Sequence, residues 1–517
     1  MDDEKGKEGI IIEPASPPDE HTRSSNGSRR HHTPLTYALT VLIPILLLFL
    51  NFFLAQYDKF VLSYFQADVI RGLDLSPANY GILSGYATGI VYALLAIPVA
   101  FVADYTNARV WTLTLATLWW SLCVVFQGLS HNFWQILLAR IGMGIGQAPV
   151  EALSVSLISD LIEPKWMFFA ESILYVGVYV GEAVSAQLAT AFTKTNTPWS
   201  TAMKAIGIVG LVIGVLIRIF LREPARRAAL IAYHDTAPEE VLPRAQKSRL
   251  ALAQAHLSVA FGHVLRMHSF WLLTLSSGAR QLSGNVFGYY MPTYLSSIYP
   301  SQTNVLSNYG IIVGVVGSVA VLSGGLISSY WAKNTASVPL LLTAIGGMIS
   351  SVFVVLMILS KEVAGGNQTK GTHVLYGTMS AAYITAELWL GAFASLLVLL
   401  FPPRMKTFAY AIYISIITLI YSSGPEVIGL ALRDLDPSSS PYLERIKLIL
   451  VIMIPLGYWV AGVGFLICIG KVRKDLALGD TGLGPMSSAR KLGFGAFAFV
   501  LGGLVLGLFV ASLVYKV

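Results

Sequence analysis

Long apolar runs separated by short polar stretches recur along this 517-residue chain from Thr36 to Val517. Most reach or exceed the roughly 20 residues that an α-helix needs to cross a lipid bilayer. Strand-like alternation of apolar and polar residues is absent, which favours helices over a closed β-barrel. The pattern predicts membrane segments at about residues 37–66, 80–104, 110–129, 133–160, 165–192, 199–221, 270–299, 306–330, 337–360, 372–402, 405–432, 444–471 and 491–515.

The composition supports an all-α polytopic membrane protein. The chain is 55% hydrophobic and only 12% charged, and a soluble domain carries about twice that charged fraction. The net charge of +7 is explained by basic cytoplasmic loops, and nothing resembles a nucleic-acid-binding module. Both cysteines, Cys123 and Cys468, fall inside apolar runs, so a disulfide framework is not expected.

The order of the segments predicts two six-helix bundles with a cleft between them. Twelve spans divided equally by a long charged loop are typical of this architecture. We expect a disordered cytoplasmic tail, an N-terminal bundle, a cytoplasmic linker, a C-terminal bundle, a second linker and an extra C-terminal helix, at residues 1–35, 36–222, 223–269, 270–471, 472–490 and 491–517.

The last apolar run has three possible roles. A glycolipid-anchor signal would have to lie outside the cell, whereas twelve preceding spans place this run on the cytoplasmic side. We therefore expect a thirteenth span or a helix resting against the bilayer. Its five glycines would permit close helix packing, although the spacing alone identifies no partner.

Two independent signals place the N-terminus in the cytoplasm. With that orientation, about 23 of the 35 Lys and Arg residues lie on the cytoplasmic side and about 9 lie outside, as the positive-inside rule requires. The sequence Asn367-Gln-Thr369 matches a glycosylation acceptor and falls in an outside loop. The similar match at Asn26 lies in the cytoplasmic tail and should be silent.

Several charged side chains lie inside the predicted spans. A charge near the bilayer centre costs about 2.5–3.5 kcal/mol on insertion scales, so such residues usually face a bundle interior or water. The candidates are Asp58 and Lys59 in span one, Arg140 and Glu151 in span four, Glu182 in span five, Arg280 in span seven, Glu387 in span ten and Glu426 in span eleven.

Asp58 and Arg140 lie at similar depths. At 1.5 Å per residue, Asp58 is about 12 Å and Arg140 about 10 Å from the outer end of its span. The two opposite charges can pair if spans one and four are neighbours. We expect Asp58 to bind a proton in one conformation and to release it in another, which would couple proton flow to a conformational change.

Span four presents one polar helical face. Arg140, Gly144, Gln147 and Glu151 are spaced by four, three and four residues, which places them on one side of a helix. They either line a polar pathway or form a structural network between helices.

Four other intramembrane charges have open interpretations. Arg280 either holds a substrate phosphate or carboxylate or is a satisfied donor between helices. Glu182 and Glu387 are further candidates for the cleft. Glu426 follows Ser-Ser-Gly-Pro, a predicted helix break, and fits an interfacial position.

The loop after span two resembles the major facilitator signature G-x-x-x-D-R-x-x-R-(R/K). Asp104 and Arg109 keep its charges, whereas Ala100 replaces the glycine and Tyr105 replaces the first arginine. With Asn107, the loop is similar to the D-R-Y-N-R-K version of the spinster lipid transporters. "QYDKF" resembles their span-one N-Y-x-D-R, and "LLARIGMGIGQAPVEALSVSLISDL" resembles their R-x-x-x-G-x-G-E-A segment.

The resemblance implies the major facilitator fold and an alternating-access carrier. It implies that Asp58, Lys59 and Arg140 carry proton or substrate coupling, and that the motif of Asp104, Asn107 and Arg109 latches the cytoplasmic gate. The glutamate of the family's span four corresponds to Gln147, which cannot titrate. Glu151, one turn further on, is the possible substitute; otherwise coupling depends on Asp58 alone, or the protein is a uniporter.

These observations predict a carrier rather than an enzyme. The expected substrate is an amphipathic anionic lipid such as a lysophospholipid or a sphingoid-base phosphate, moved with protons by a monomer in the plasma or endolysosomal membrane. No cofactor, metal ion or nucleic acid is expected. The alternatives are a carrier of small organic anions or sugars, and a non-transporting receptor or scaffold.

Overall fold

The computed structural model describes residues 38–195, 197–224, 261–302, 304–331, 337–401, 406–435, 439–478 and 488–514. These residues are mainly helical, and no β-strand occurs among them, which confirms the all-α prediction. The expected tail at 1–35, the greater part of the linker at 223–269 and residues 479–487 of the second linker lie outside the described residues.

The first bundle contains six long helices, some built from two segments. Their bounds are α1 Ile43–Tyr64, α2 Pro77–Ser84 with Tyr86–Thr106, α3 Arg109–Gln127, α4 Phe133–Gln147 with Val150–Leu161, α5 Met167–Lys194 and α6 Trp199–Phe220. The closest packing inside it joins α1 to α5 and α3 to α6.

The second bundle repeats this plan, with α7 packed against α12 and α9 against α12. Its helices are α7 His268–Ile298, α8 Val305–Ile312 with Ser318–Trp331, α9 Val338–Ile358, α10 Gln368–Ala386 with Leu390–Leu399, α11 Lys406–Leu432 and α12 Ser440–Leu478; a thirteenth helix, α13, spans Ser488–Val514.

Eleven helices of the described chain are long and apolar enough to cross a membrane. Helix α7 is not among them although it has 31 residues, because polar groups such as Arg280, Gln281 and Asn285 interrupt its apolar sequence. These residues all line the central cavity. These polar side chains of α7 therefore face the protein interior rather than lipid, as expected for polar and ionisable groups at membrane depth.

Local sequence explains where helices begin and end. The Asn132 side chain caps α4 by accepting a hydrogen bond from the Gln135 amide at 3.0 Å, and the Asn367 side chain caps α10 through the Lys370 amide at 3.0 Å. Such caps satisfy amides that have no partner within the helix. Asn107 ends α2 in the left-handed conformation, with φ of 53°, which asparagine tolerates better than most residues.

Helix interruptions cluster around the middle of the molecule. Gly85 divides α2, Ala148 and Pro149 divide α4, and a 3₁₀ turn at Glu387–Trp389 divides α10. Gly85, Gln147 and Glu387 line the central cavity. Irregular backbone at membrane depth is tolerated where it borders a cavity, so these breaks mark the position of the candidate site.

Two seams join the bundles. Helix α11 packs along α2 on one side, and α8 and α10 pack along α5 on the other. The second seam is tight: a Cβ added at Gly310 would meet the Ala186 side chain, and one added at Gly314 would meet that of Ala183.

Helix α13 lies along the α2–α11 seam. It packs against α11 and the first segment of α2, and its Phe509 ring lies 6.3 Å from that of Tyr86. Near its other end, the Phe497 ring lies 5.8 Å from that of Trp271 on α7. Its glycines Gly493, Gly495, Gly502, Gly503 and Gly507 have no described atom within contact distance of an added Cβ.

Candidate functional site

A cavity of about 190 Å³ lies between the two bundles. Seven of the intramembrane residues identified from the sequence contribute to its lining: Lys59, Arg140, Gln147, Glu151, Glu182, Arg280 and Glu387. Eleven aromatic residues also contribute to the wall, namely Phe52, Phe60, Tyr92, Tyr175, Tyr179, Phe287, Tyr289, Tyr383, Trp389, Tyr421 and Tyr458. The cavity therefore offers charged groups next to flat apolar surfaces.

Asp58 is buried beside this cavity. Its side chain is fully buried, and neither carboxylate oxygen has a hydrogen-bonding partner. Its polar neighbours are Arg140, which acts on it electrostatically, and Gln127. The structure thus brings Asp58 and Arg140 into one region, while no ion pair within 4.0 Å joins them among the described residues.

Arg140 has unused hydrogen-bonding capacity. Its Nη1 lies 4.0 Å from the Met143 sulfur, a weak acceptor, and its Nε has no partner. Gln127 donates to the same sulfur at 3.2 Å. A cation that is buried, lines a cavity and lacks a close carboxylate among the described residues can bind an anion there.

Lys59 is held by aromatic rings. Its Nζ lies 4.6 Å from the ring centre of Tyr421 and 5.5 Å from that of Phe60, which is cation–π geometry. No carboxylate forms an ion pair with Lys59 in the described part of the chain. Lys59 and Arg140 are therefore two cavity cations without an acidic partner at contact distance.

Glu151 sits in a cluster with two tyrosines. It accepts hydrogen bonds from Tyr175 at 2.7 Å and from Tyr410 at 3.0 Å, and the two tyrosine hydroxyls lie 2.6 Å apart. Tyr410 belongs to α11, so this cluster joins the two bundles.

Glu182 and Glu387 are held in the same manner. Tyr309 of α8 donates to Glu182 at 3.0 Å, and Tyr179 of α5 donates to Glu387 at 2.7 Å. Each of the three cavity glutamates accepts a hydrogen bond from a tyrosine of the opposite bundle. The sequence identified the acids but not the tyrosines, because nothing in their spacing reveals which helices face each other.

Arg280 is partnered inside its own bundle. It lies 3.5 Å from Glu387, donates to the Ala386 carbonyl and stacks 4.2 Å from the Tyr458 ring centre. Arg280 thus has partners on several helices of its own bundle, while its Nε has no hydrogen-bonding partner and the side chain also lines the cavity.

Arg109 anchors a charge network at the end of the bundles that the sequence predicts to face the cytoplasm. Its guanidinium contacts Asp160 at 2.7 Å and Glu223 at 2.7 Å, and it is fully buried. Asp160 also contacts Lys406 of α11 at 2.7 Å. This arrangement, named here the cytoplasmic latch and consisting of Arg109, Asp160, Glu223 and Lys406, joins the bundles through Asp160.

The latch extends the gating motif identified in the sequence. The Asp104 side chain lies outside the part of the chain that the structure describes. Asn107 is the residue that follows the last turn of α2, and its backbone is in the left-handed conformation. Sequence reasoning missed Asp160 and Lys406 as a pair, because their separation of 246 residues hides the contact. The only signal in the sequence for Asp160 was the "ISDL" stretch at the end of α4, which contains this residue.

Polar contacts also join the bundles at the opposite end of the molecule. Gln187 of α5 donates to the Ser307 carbonyl of α8 at 2.7 Å, and Thr293 of α7 donates to Gln66 at 2.8 Å. The bundles are thus in contact both above and below the cavity. Asn367, the predicted glycosylation acceptor, is exposed at the start of α10.

Comparison with known proteins agrees with this architecture. The family model described as Major Facilitator Superfamily matches residues 48–425. Protein spinster homolog 1 of Xenopus tropicalis is 25% identical over 497 residues, which cover 91% of this chain and 89% of that protein. The hexuronate transporter of Bacillus subtilis (strain 168) is 25% identical over 302 residues, which cover 56% of this chain and 65% of that protein.

A solved structure shares the fold. The inward-facing, unoccupied structure of a bacterial homologue of the human lysosomal transporter spinster aligns with a TM-score of 0.58 at 19% identity, covering 86% of this chain and 98% of that one. The resemblance found in the motifs is thereby confirmed. The chain belongs to the Major Facilitator Superfamily and is an integral multi-pass membrane transporter related to the spinster proteins.

Proposed function

We propose that this transporter moves an amphipathic anion, such as a lysophospholipid or a sphingoid-base phosphate, by alternating access coupled to protons. The observation that carries the proposal is the pair of cavity cations, Lys59 and Arg140, without a carboxylate at contact distance. A phosphate group bridging them would form charge-assisted hydrogen bonds. The aromatic and apolar wall would cover the first part of an acyl or sphingoid chain.

Asp58 is the proposed proton carrier. A fully buried carboxylate without a hydrogen-bonding partner is costly when charged, whereas the neutral acid costs much less. Water that enters when one side of the cavity opens, or a side-chain movement that brings Arg140 into contact, would favour the charged form. Proton binding to Asp58 would therefore depend on which side of the carrier is open.

A second candidate, transport of a small organic anion, has its own support. The hexuronate transporter similarity and the modest cavity volume of about 190 Å³ both fit a compact sugar acid. The same two cations would bind its carboxylate. The lipid candidates carry an apolar tail and the sugar acid does not. Direct competition between a lipid and a sugar acid for uptake therefore distinguishes the two candidates.

The experiment is uptake by proteoliposomes containing the purified full-length chain. Labelled lysophospholipid, sphingoid-base phosphate and hexuronate are supplied separately, with and without a pH gradient. We expect uptake of a lipid substrate that responds to the gradient. Uptake of hexuronate and of no lipid would favour the second candidate, and no uptake of any solute would favour a receptor or scaffold.

Asp58→Asn tests the coupling. The amide keeps the size of the side chain but cannot exchange a proton, so we expect the response to the pH gradient to disappear. Asp68→Asn is the matched control, since Asp68 is exposed and pairs only with nearby Arg71 at 3.4 Å in the described structure. If Asp58→Asn retains the gradient response, the assignment of Asp58 is wrong.

A further inference from the structure

Asn285 of α7 carries a buried hydrogen-bond acceptor that has no partner in the described structure. The residue lines the central cavity and is only 6% exposed. Its Nδ2 donates to the Tyr421 carbonyl of α11 at 3.1 Å, whereas its Oδ1 accepts nothing from the described residues. Because buried polar atoms are nearly always paired in native proteins, a ligand or a water molecule is expected to supply the missing donor.

The contact with Tyr421 fixes the orientation of the Asn285 amide. A backbone carbonyl can only accept a hydrogen bond, so the nitrogen of the amide and not its oxygen must face it. The opposite orientation would set two acceptors against each other. Oδ1 is thereby held on the other side of the amide, where it can accept a hydrogen bond but cannot donate one. Asn285 therefore selects for a group that carries a proton.

A shared neighbour places Asn285 near Lys59. Asn285 contacts the Tyr421 carbonyl, and the Lys59 Nζ lies 4.6 Å from the centre of the Tyr421 ring. One turn further along α7, the Tyr289 hydroxyl donates to the Lys59 carbonyl at 3.2 Å. Helices α1 and α7 thus meet here, and the cation and the acceptor belong to opposite bundles. A neutral hydroxyl is favoured as the donor over an ammonium group, which the like charge of Lys59 would repel.

The other unpaired polar atoms of the cavity wall are mainly donors. Arg140 Nε, Gln147 Nε2 and Arg280 Nε have no partner among the described residues, and all three side chains line the cavity. The three cavity glutamates already accept hydrogen bonds from tyrosines. The wall therefore offers donors to an anion and, on α7, a free amide oxygen to a hydroxyl group.

We propose that Asn285 is a specificity-determining residue that accepts a hydrogen bond from a substrate hydroxyl close to the anionic group. This role depends on the proposed function, since the anion is held by Lys59 and Arg140. The hydroxyl then extends the contact from the first bundle to the second. A substrate without this hydroxyl leaves Oδ1 buried and unpaired, and a site built to pair with a hydroxyl discriminates against such an analogue.

The test compares two pairs of probes, each differing by a single hydroxyl. One pair is a short-chain lysophosphatidic acid and its analogue without the glycerol hydroxyl. The other pair is glucuronate and the analogue without the hydroxyl nearest the carboxylate. Dissociation constants are measured with the purified full-length chain in lipid nanodiscs. We expect the hydroxylated member of the pair that binds to bind about five- to tenfold more tightly.

Asn285→Leu should abolish this preference, so that both members of the pair bind equally to within about twofold. The substitution also removes the donor to the Tyr421 carbonyl, but that loss affects both members alike, and the ratio of their dissociation constants reports on Oδ1. Asn308→Leu is the matched control. Asn308 is a half-buried residue of α8 that donates to Tyr376 at 3.1 Å and is not among the residues lining the cavity, so the preference should be retained.

Asn285→Asp protects the test against a folding defect. An aspartic acid side chain has the same shape, and in its neutral form one oxygen can donate to the Tyr421 carbonyl while the other accepts from the substrate. This variant should keep a preference for the hydroxylated probe. Equal binding of both members by the unmodified protein, or an unchanged preference in Asn285→Leu, would overturn the role of Asn285 and leave a water molecule as the donor. If no probe of either pair binds, the proposed function itself fails, and this role with it.

Discussion

Tyr410, Tyr309 and Tyr179 each donate a hydrogen bond to a glutamate in the opposite bundle, at 3.0, 3.0 and 2.7 Å. A carrier must break contacts between bundles in every cycle. A neutral hydroxyl is cheaper to separate from a carboxylate than a cation, because no second charge is left without a partner. Tyrosines at these positions join the bundles reversibly.

Removing one such hydroxyl should bias the carrier towards the open state. Tyr410→Phe deletes the donor to Glu151 and keeps the ring, and a hydrogen bond to a charged group contributes about 1.5–3 kcal/mol. In a Cys123→Ser, Cys468→Ser background, a cysteine replacing Thr88 of the cavity wall serves as a reporter that a membrane-impermeant maleimide modifies from the cytoplasmic side only when that end is open. We expect the modification rate of this Thr88→Cys reporter to increase by about tenfold or more. Tyr330→Phe, at an exposed ring, should leave the rate unchanged; an equal increase there would contradict this account.

The two unpaired cations should determine affinity. Lys59→Met removes one charge from the cavity, and we expect the KM for an anionic substrate to rise about tenfold or more while kcat changes little. Lys59→Arg keeps the charge and should recover most of the affinity. A neutral analogue of the substrate provides the control, since its KM should not respond to either change, and counterflow in proteoliposomes measures both constants.

At the scale of helices, close packing of α4 against α2 depends on Gly144. A Cβ at this position would lie 2.8 Å from the Thr88 carbonyl oxygen and 3.1 Å from its Cα, both backbone atoms that cannot move aside easily. The polar face predicted for α4 therefore includes a residue, Gly144, at which the backbones of α4 and α2 come close together. This contact sets the distance between Arg140 and the neighbouring helix.

Gly144→Ala should destabilise the protein. Overpacking against backbone typically costs about 1–3 kcal/mol, so the melting temperature in detergent should fall. Gly377→Ala on α10 is the matched control, because no described atom lies within 4 Å of its added Cβ, and it should leave the melting temperature unchanged or raise it slightly. Equal effects of the two substitutions would refute the packing argument.

The latch should hold the cytoplasmic ends of α4 and α11 together. Asp160→Asn weakens the contacts to Arg109 and Lys406 at once, and breaking a buried pair costs about 3–5 kcal/mol. We expect this variant to be open to the cytoplasm at all pH values, as measured by the Thr88→Cys reporter. Asp434→Asn, which changes an exposed acid near the outer end, should have no effect.

Hydrophobic periodicity predicted the helices well and their contacts poorly. The apolar runs gave the spans to within a few residues at most ends, and charge at membrane depth identified six residues of the cavity wall, Lys59 and Glu387 among them. The partners of these residues come from helices far apart in sequence, as with Glu182 and Tyr309, and one sequence does not specify which faces meet.

For the whole molecule, the two seams between the bundles differ. The α5–α8 seam is tight through glycines such as Gly310 and Gly317, whose added Cβ atoms would overlap Ala186 and Tyr179. The α2–α11 seam is covered from outside by α13. The twelve-helix carrier would be nearly symmetric about the cleft, and α13 removes this symmetry.

Truncation after Leu478 measures what α13 contributes. Since α13 packs mainly against the outside of α2 and α11, with a ring contact to α7, we expect the remaining twelve helices to fold and to transport. A photoreactive group replacing Tyr86 should label lipid several-fold more in the truncated chain than in the full chain. Similar labelling in both chains would show that α13 does not shield this seam.

A carrier of amphiphiles can exchange its cargo with the aqueous phase or sideways with a leaflet. Because α13 covers the α2–α11 flank and close-packed glycines hold α5 against α8 on the other, both flanks are closed in the described structure. A tail protruding from the central cavity would reach a leaflet only where one of these seams separates, and without α13 the α2–α11 flank would be the easier of the two to separate.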